Sequence, residues 1–151
     1  EQEMTLSLAE SCTGGAIAAR IVNVSGASEV FLQGMVTYSN KAKRRCLDVS
    51  KSTLKKHGAV SEECAAEMAK GGRKASKTDI CLSVTGIAGP GGGTKEKPVG
   101  TVFMGCSYKG CTQVREFHFQ GNRARVREQT VAHGLAFLRD CMMERADKEN
   151  N

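Results

Sequence analysis

Apolar positions along the chain change period several times, and each change marks an element. Met4 to Ala9 is an apolar run that predicts a first, buried strand. Thr13 to Val24 has the spacing of a helix, with Ile17 and Ile21 on one face. Phe31 to Ser39 is rich in β-formers and predicts a second strand. Asn40 is placed to cap a short helix through Cys46, and Ser52 to His57 reads as a helical turn stopped by Gly58. Ser61 followed by Glu62 and Glu63 predicts a helix start, with Cys64, Ala65, Met68 and Ala69 on its buried face and an end near Ala75. Asp79 to Thr85 is a short continuous apolar stretch, the pattern of a central strand. Val99 to Tyr108 and Thr112 to Phe119 predict a hairpin turning at Lys109-Gly110. Asn122 to Arg145 predicts a long amphipathic helix whose buried stripe is Val126, Thr130, His133, Gly134, Phe137, Leu138 and Cys141. Ala146 to Asn151 is polar and is expected to fray.

Helices alternate with strands at first, and a hairpin comes late. That order predicts an α/β fold, a three-layer α/β/α sandwich with a mixed, mostly parallel sheet. The 151 residues suit one domain, taken as 1–151. The chain opens on Glu1 rather than Met, which reads as a fragment of a longer protein cut close to its first strand. No apolar run approaches the roughly 20 residues that span a bilayer, so no membrane partner is expected.

Composition narrows the partners. The net charge is +6, but its Lys and Arg residues lie in small scattered groups, and aromatics make up only 5% without interleaving among them. Nucleic-acid binding asks for a basic face with stacking rings, so the charge points instead to a solvated surface and to a phosphorylated small molecule. The seven cysteines form no C-x-x-C pair, and no His pair has zinc spacing, which predicts neither disulfides nor a metal and suits a reducing, cytoplasmic setting. No cofactor is expected.

Two glycine-rich segments each follow a predicted strand: Thr13-Gly14-Gly15, and the loop from Gly86 to Pro98 with Gly86, Gly89, Gly91 and Gly92. In an open α/β sheet ligands bind beyond the strand C-terminal ends, where both segments would lie if their strands are parallel neighbours. Neither a P-loop nor a dinucleotide fingerprint is present in the second. Ser11 stands at the bend after the first strand, beside helix-start amides that a ligand is expected to reach. Its flanks lack the glycines of a G-x-S-x-G elbow, and His57, His118 and His133 all read as structural. A serine without histidine can use a desolvated lysine as base. Tyr38 and Lys43, after the second strand, are both candidates, and Thr85 ends its strand at the glycine loop.

These segments resemble the C-terminal domain of the CinA family. The resemblance is carried by Ala9-Glu-Ser-Cys-Thr-Gly-Gly15, Val36-Thr-Tyr-Ser-Asn40 with Lys43, Gly58-Ala-Val-Ser61, Thr85-Gly-Ile-Ala-Gly-Pro-Gly-Gly-Gly-Thr94 and Lys97-Pro-Val-Gly-Thr-Val102, and runs from about Leu6 to Leu138. The family includes nicotinamide mononucleotide deamidases. The resemblance therefore implies metal-free hydrolysis of the nicotinamide carboxamide to ammonia and nicotinate mononucleotide, a role in pyridine nucleotide salvage, and a homodimer. It makes Ser11 the nucleophile, Lys43 or Tyr38 its activating partner, and Thr85 a supporting residue. Lys43 rather than Lys41 takes the lysine position of the family's Tyr-Ser-Asn-x-x-Lys pattern. The substrate would meet Thr13, Gly14, Gly15, Asn40, Gly86, Gly89, Gly91, Gly92 and Arg123. Family members commonly carry Gly-Asp-Arg where this chain has Gly121-Asn122-Arg123, so a carboxylate expected to help position Arg123, or a ligand hydroxyl, is missing. The rival reading is a nucleotide-binding or regulatory domain that keeps the pocket without turnover. A DNA-associated competence role rests mainly on the family's name and the net charge.

Overall fold

In the computed structural model, which describes residues 4–149, five strands form one sheet. They are β1 (Leu6–Glu10), β2 (Phe31–Val36), β3 (Ile80–Gly86), β4 (Thr101–Tyr108) and β5 (Cys111–His118), in the order β2-β1-β3-β4-β5. β1 pairs parallel with β2 and with β3, while β3–β4 and β4–β5 are antiparallel, so the sheet is mixed and β4 alone runs against the other four. The helices are α1 (Ala16–Ile21), α2 (Asn40–Leu47), α3 (Lys51–His57), α4 (Glu62–Ser76) and α5 (Arg123–Glu149).

The alternation of side chains along a strand decides what each face receives. Leu6 and Leu8 of β1 and Ile80, Leu82 and Val84 of β3 pack with Ile17 of α1 and Val126, Phe137 and Cys141 of α5. Ala9 and Cys81, on the other parity, pack with Leu47, Cys64 and Met68 of α2 and α4. The result is the three-layer α/β/α sandwich, with α1 and α5 on one face and α2 to α4 on the other. Among the described residues no helix is long and apolar enough to cross a membrane.

Local chemistry moves several boundaries. Gly14 and Gly15 have φ of 60° and 97°, left-handed values that end any helical run, so α1 starts at Ala16 rather than Thr13. It stops at Ile21, leaving Val22 and Val24 exposed, because β-branched residues with no surface to pack on gain nothing from the helix. β2 ends at Val36, not Ser39, and the cap of α2 is Ser39, whose Oγ accepts from the Ala42 amide at 3.0 Å, not Asn40. His133 is exposed on the flank of the α5 stripe, with its ring 5.0 Å from that of Phe119. The helix continues to Glu149, past the expected fraying point at Ala146, and residues 150 and 151 lie outside the described residues.

α4 meets α2 through Gly71, where a Cβ would overlap the Leu47 carbonyl oxygen. Gly71→Ala must push the two helices apart. It is expected to destabilise the domain by about 1–3 kcal/mol, the range of overpacked cores, read as a lower urea midpoint.

Candidate active site

Parity also places the serine. Glu10, the last residue of β1, falls on the α1/α5 face, so the next residue, Ser11, turns toward α2 and α4. The Ser11 amide still bonds the Val84 carbonyl of β3 at 3.0 Å, and the Thr37 amide bonds the Glu10 carbonyl at 2.9 Å. Parallel pairing with β2 on one side and β3 on the other thus brings Thr37 and Thr85 alongside the turn. Both glycine segments lie at the same end of the sheet, as their parallel strands require.

Lys43 sits in the second half of the first turn of α2 and points inward, 1% exposed. Its Nζ lies 2.9 Å from Ser11 Oγ, 2.8 Å from the Thr37 carbonyl and 3.4 Å from the Tyr38 carbonyl. Burial lowers the pKa of this amine from its usual 10.5, while Cys64 and then Cys12 act in the opposite sense. The partner set says what the neutral amine does. Two carbonyls can only accept, so they take its two N–H groups, and the lone pair is left facing the Ser11 hydroxyl. In that state Ser11 donates to Lys43, which is the arrangement of a general base. Cys12, beside Ser11, is buried, and desolvation pushes its thiol up to about 11, so it remains a protonated thiol at neutral pH.

A cleft of about 280 Å³ opens onto this pair, lined by Ser11, Lys43, Tyr38, Thr85, Arg123 and Gly86 to Gly89 with Gly91 and Gly92. The Thr85 hydroxyl donates to the Ala59 carbonyl at 2.8 Å, which leaves its oxygen free to accept. Tyr38 is exposed, and its hydroxyl faces Arg123 Nη2 at 3.3 Å rather than Ser11. Arg123 also donates to the Gly89 carbonyl at 2.7 Å and so bridges Tyr38 and the glycine loop across the cleft mouth. Lys97 ties the far end of that loop down by donating to the His57 carbonyl at 2.8 Å.

Some expected contacts lie elsewhere. Asn40 is exposed at the start of α2 and lies outside the cleft lining, and Thr13, which is buried, Gly14 and Gly15 are not part of that lining either. The Gly14 amide is taken by the Ser11 carbonyl at 3.0 Å. The start of α1 is not open to a ligand: the amides of Ile17 and Ala18 donate to the Glu10 carboxylate at 2.9 and 3.0 Å. Glu10 and Arg127, which donates to the Cys12 and Thr13 carbonyls at 3.1 and 3.0 Å, went unnoticed in the sequence. The glutamate directly before Ser11 was the one available signal. Asn122 does not disturb Arg123. Its Oδ1 accepts from the Arg125 amide at 3.0 Å, capping α5 as an aspartate would. Among the described residues no three His, Cys, Asp or Glu side chains gather as a metal site would need.

Fold and site together define a mixed-sheet α/β domain with a buried serine–lysine pair beyond its parallel strands. The family model described as the CinA C-terminal domain matches residues 1–142, and the chain belongs to that family. A CinA-like protein of Citrifermentans bemidjiense is 54% identical over 145 residues, covering 96% of this chain and 35% of its own length. The chain thus spans about a third of the curated relatives it matches. The crystal structure of the competence/damage inducible protein CihA from Agrobacterium tumefaciens superposes with a TM-score of 0.88 at 42% identity, over 90% of this chain and 84% of that one. The competence damage-inducible protein A (ComA) of Klebsiella pneumoniae gives 0.90 at 37%, over 93% and 88%.

Proposed function

We propose that this chain is an amidohydrolase that converts nicotinamide mononucleotide to nicotinate mononucleotide and ammonia through an acyl-enzyme on Ser11. The observation that carries the reading is the 2.9 Å contact between Ser11 Oγ and the Nζ of a buried Lys43 that also meets the Thr37 and Tyr38 carbonyls. Ser11 passes its proton to Lys43 as Oγ attacks the carboxamide carbon. The amide of Cys12, directly after the nucleophile on a residue that lines the cleft, is the donor the turn offers for the oxyanion. Lys43 returns the proton to the leaving nitrogen, and ammonia departs. Water then adds to the ester carbon, giving its proton to Lys43, and Ser11 leaves reprotonated.

Choice of the mononucleotide rests on the family resemblance, and the cleft suits it. Backbone of the Gly86 to Gly92 loop can approach the ligand closely, and Arg123 stands at the mouth to meet a phosphate. A cytoplasmic setting fits the seven free thiols. A homodimer belongs to the same reading, supported by exposed Leu32 and Val36 on β2, at the open edge of the sheet.

The test is ammonia release by the purified chain from nicotinamide mononucleotide. Binding without release would favour the regulatory alternative. Arg123→Ala is expected to raise KM about tenfold or more with little change in kcat, the pattern of lost uniform binding. A fall in kcat alone would move Arg123 out of the phosphate role.

A further inference from the structure

The turn that carries Ser11 contains two adjacent left-handed glycines, the most permissive backbone a chain can have. Its own backbone bonds, from the Gly14 amide to the Ser11 carbonyl at 3.0 Å and from the Ala16 amide to the Thr13 carbonyl at 3.1 Å, are few for so permissive a segment. Two charged side chains outside the serine–lysine pair grip it with opposite polarity. Glu10 is 1% exposed, and its carboxylate accepts from Thr13 Oγ1 at 2.6 Å and from the amides of Ile17 and Ala18 at 2.9 and 3.0 Å. Arg127 of α5 supplies the complementary half: Nε donates to the Cys12 carbonyl at 3.1 Å and Nη2 to the Thr13 carbonyl at 3.0 Å. The carboxylate holds N–H groups, the guanidinium holds C=O groups, and together they restrain the segment from Cys12 to Ala18. Gly15 at the start of α1 offers no side-chain cap, so Glu10 caps that helix from the preceding strand.

Resting on the reading of Ser11 as nucleophile, we infer that Glu10 and Arg127 are positioning residues that lock the Ser11 turn in its reactive geometry. Neither reaches the cleft, and neither touches Lys43. Their action is to fix where Ser11 Oγ stands relative to Nζ, and where the following amides stand relative to the reacting carbon. There is a corollary for the ligand. With the amides of Ile17 and Ala18 already bonded to an internal carboxylate, the start of α1 does not seat the substrate phosphate, which falls to the glycine loop and Arg123.

The experiment compares wild type, Glu10→Gln and Arg127→Gln. The first keeps the shape but turns one accepting oxygen into a donor facing donors; the second removes the span to both carbonyls. Two readouts are used: labelling of Ser11 by a fluorophosphonate, in which Oγ displaces fluoride from phosphorus, followed by intact mass; and steady-state hydrolysis of nicotinamide mononucleotide. Each variant is expected to label and turn over about 10²-fold more slowly, the effect of a displacement near 1 Å at a reacting group. KM should hold, and the pH midpoint of the rate should not move, because the contacts of Lys43 are intact. A merely structural role would lower the melting temperature while the folded protein labelled at the wild-type rate, and that result overturns the proposal. Should Glu10→Gln fail to fold, Arg127→Gln, a half-buried side chain, decides alone. Wild type that neither labels nor releases ammonia brings down the nucleophile reading and the proposal with it, an outcome distinct from unaffected variants.

Discussion

Ser11→Ala is expected to lower kcat for ammonia release from nicotinamide mononucleotide by about 10⁴- to 10⁶-fold, the scale seen when a nucleophile is removed from a unit that acts as one. The change deletes only Oγ. Lys43 keeps the Thr37 and Tyr38 carbonyls, and the cleft keeps its walls, so ligand binding measured by calorimetry should survive. The same assay separates Ser11 from its neighbour. Cys12 lines the same cleft, but burial pushes its thiol up to about 11, which leaves very little thiolate at neutral pH. Cys12→Ser should therefore retain activity within about tenfold, since it removes no member of the proposed acyl-transfer unit. The reverse outcome, an active Ser11→Ala and a dead Cys12→Ser, would assign the chemistry to the thiol.

The frame that holds this pair was legible because strands advertise their two faces. Leu6-Ser7-Leu8-Ala9-Glu10 alternates large apolar with small or polar residues, and the large ones pack on α5 while Ala9 meets α2 and α4. The β4–β5 hairpin, with Lys109-Gly110 between Tyr108 and Cys111, was equally plain from its turn chemistry. Ser11 and the glycine loop were found because each ends an apolar run, and pairing of β1 with β3 then brings them together without further information. Lys43 was one of several basic residues in its segment until the family pattern distinguished it. Its burial comes from the packing of α2 on α4 through Leu47 and Gly71, a contact between segments distant in sequence.

What escaped the sequence was the support of the turn. Glu10 reads as the polar end of a strand, and its service to amides seven and eight residues on depends on how sharply the turn folds back. Arg127 lies 115 residues from the carbonyl it holds, on a helix with several other arginines, and nothing local separates it from them. The same fold-back explains why helix-start amides expected to meet a ligand do not: Gly14 and Gly15 open the backbone as expected, but the protein supplies its own carboxylate to the amides behind them. Asn122 shows the opposite case, a departure in chemistry that leaves geometry intact, because an amide oxygen caps a helix as well as a carboxylate does.

Lys43→Met should lower kcat by about 10²- to 10⁴-fold, the usual contribution of a positioned base, and should also change how stability depends on pH. Methionine is unbranched and fits a similar space without a proton to lose. In the wild type, burial lowers the native pKa of Lys43 below the 10.5 of an ordinary lysine. Between that lowered native midpoint and 10.5 the unfolded chain binds a proton that the native protein does not. Unfolding stability therefore rises with pH through the window and levels off above it. The variant lacks this slope. Loss of the amine's bonds to the Thr37 and Tyr38 carbonyls shifts its stability by an amount that does not vary with pH, so the comparison of slopes is clean. Cys12 and Cys64, raised from 9.0 to about 11, work in the opposite direction above pH 9, which fixes the upper end of the useful range. Urea unfolding should show wild type gaining on Lys43→Met once the pH passes the lowered native midpoint of Lys43, and wild-type kcat/KM climbing around that same midpoint as the amine loses its proton. Parallel stability curves would mean that the folded protein holds the Lys43 proton as tightly as the open chain does. A lysine that keeps its proton cannot take the one on Ser11, and the base would have to be sought elsewhere in the cleft.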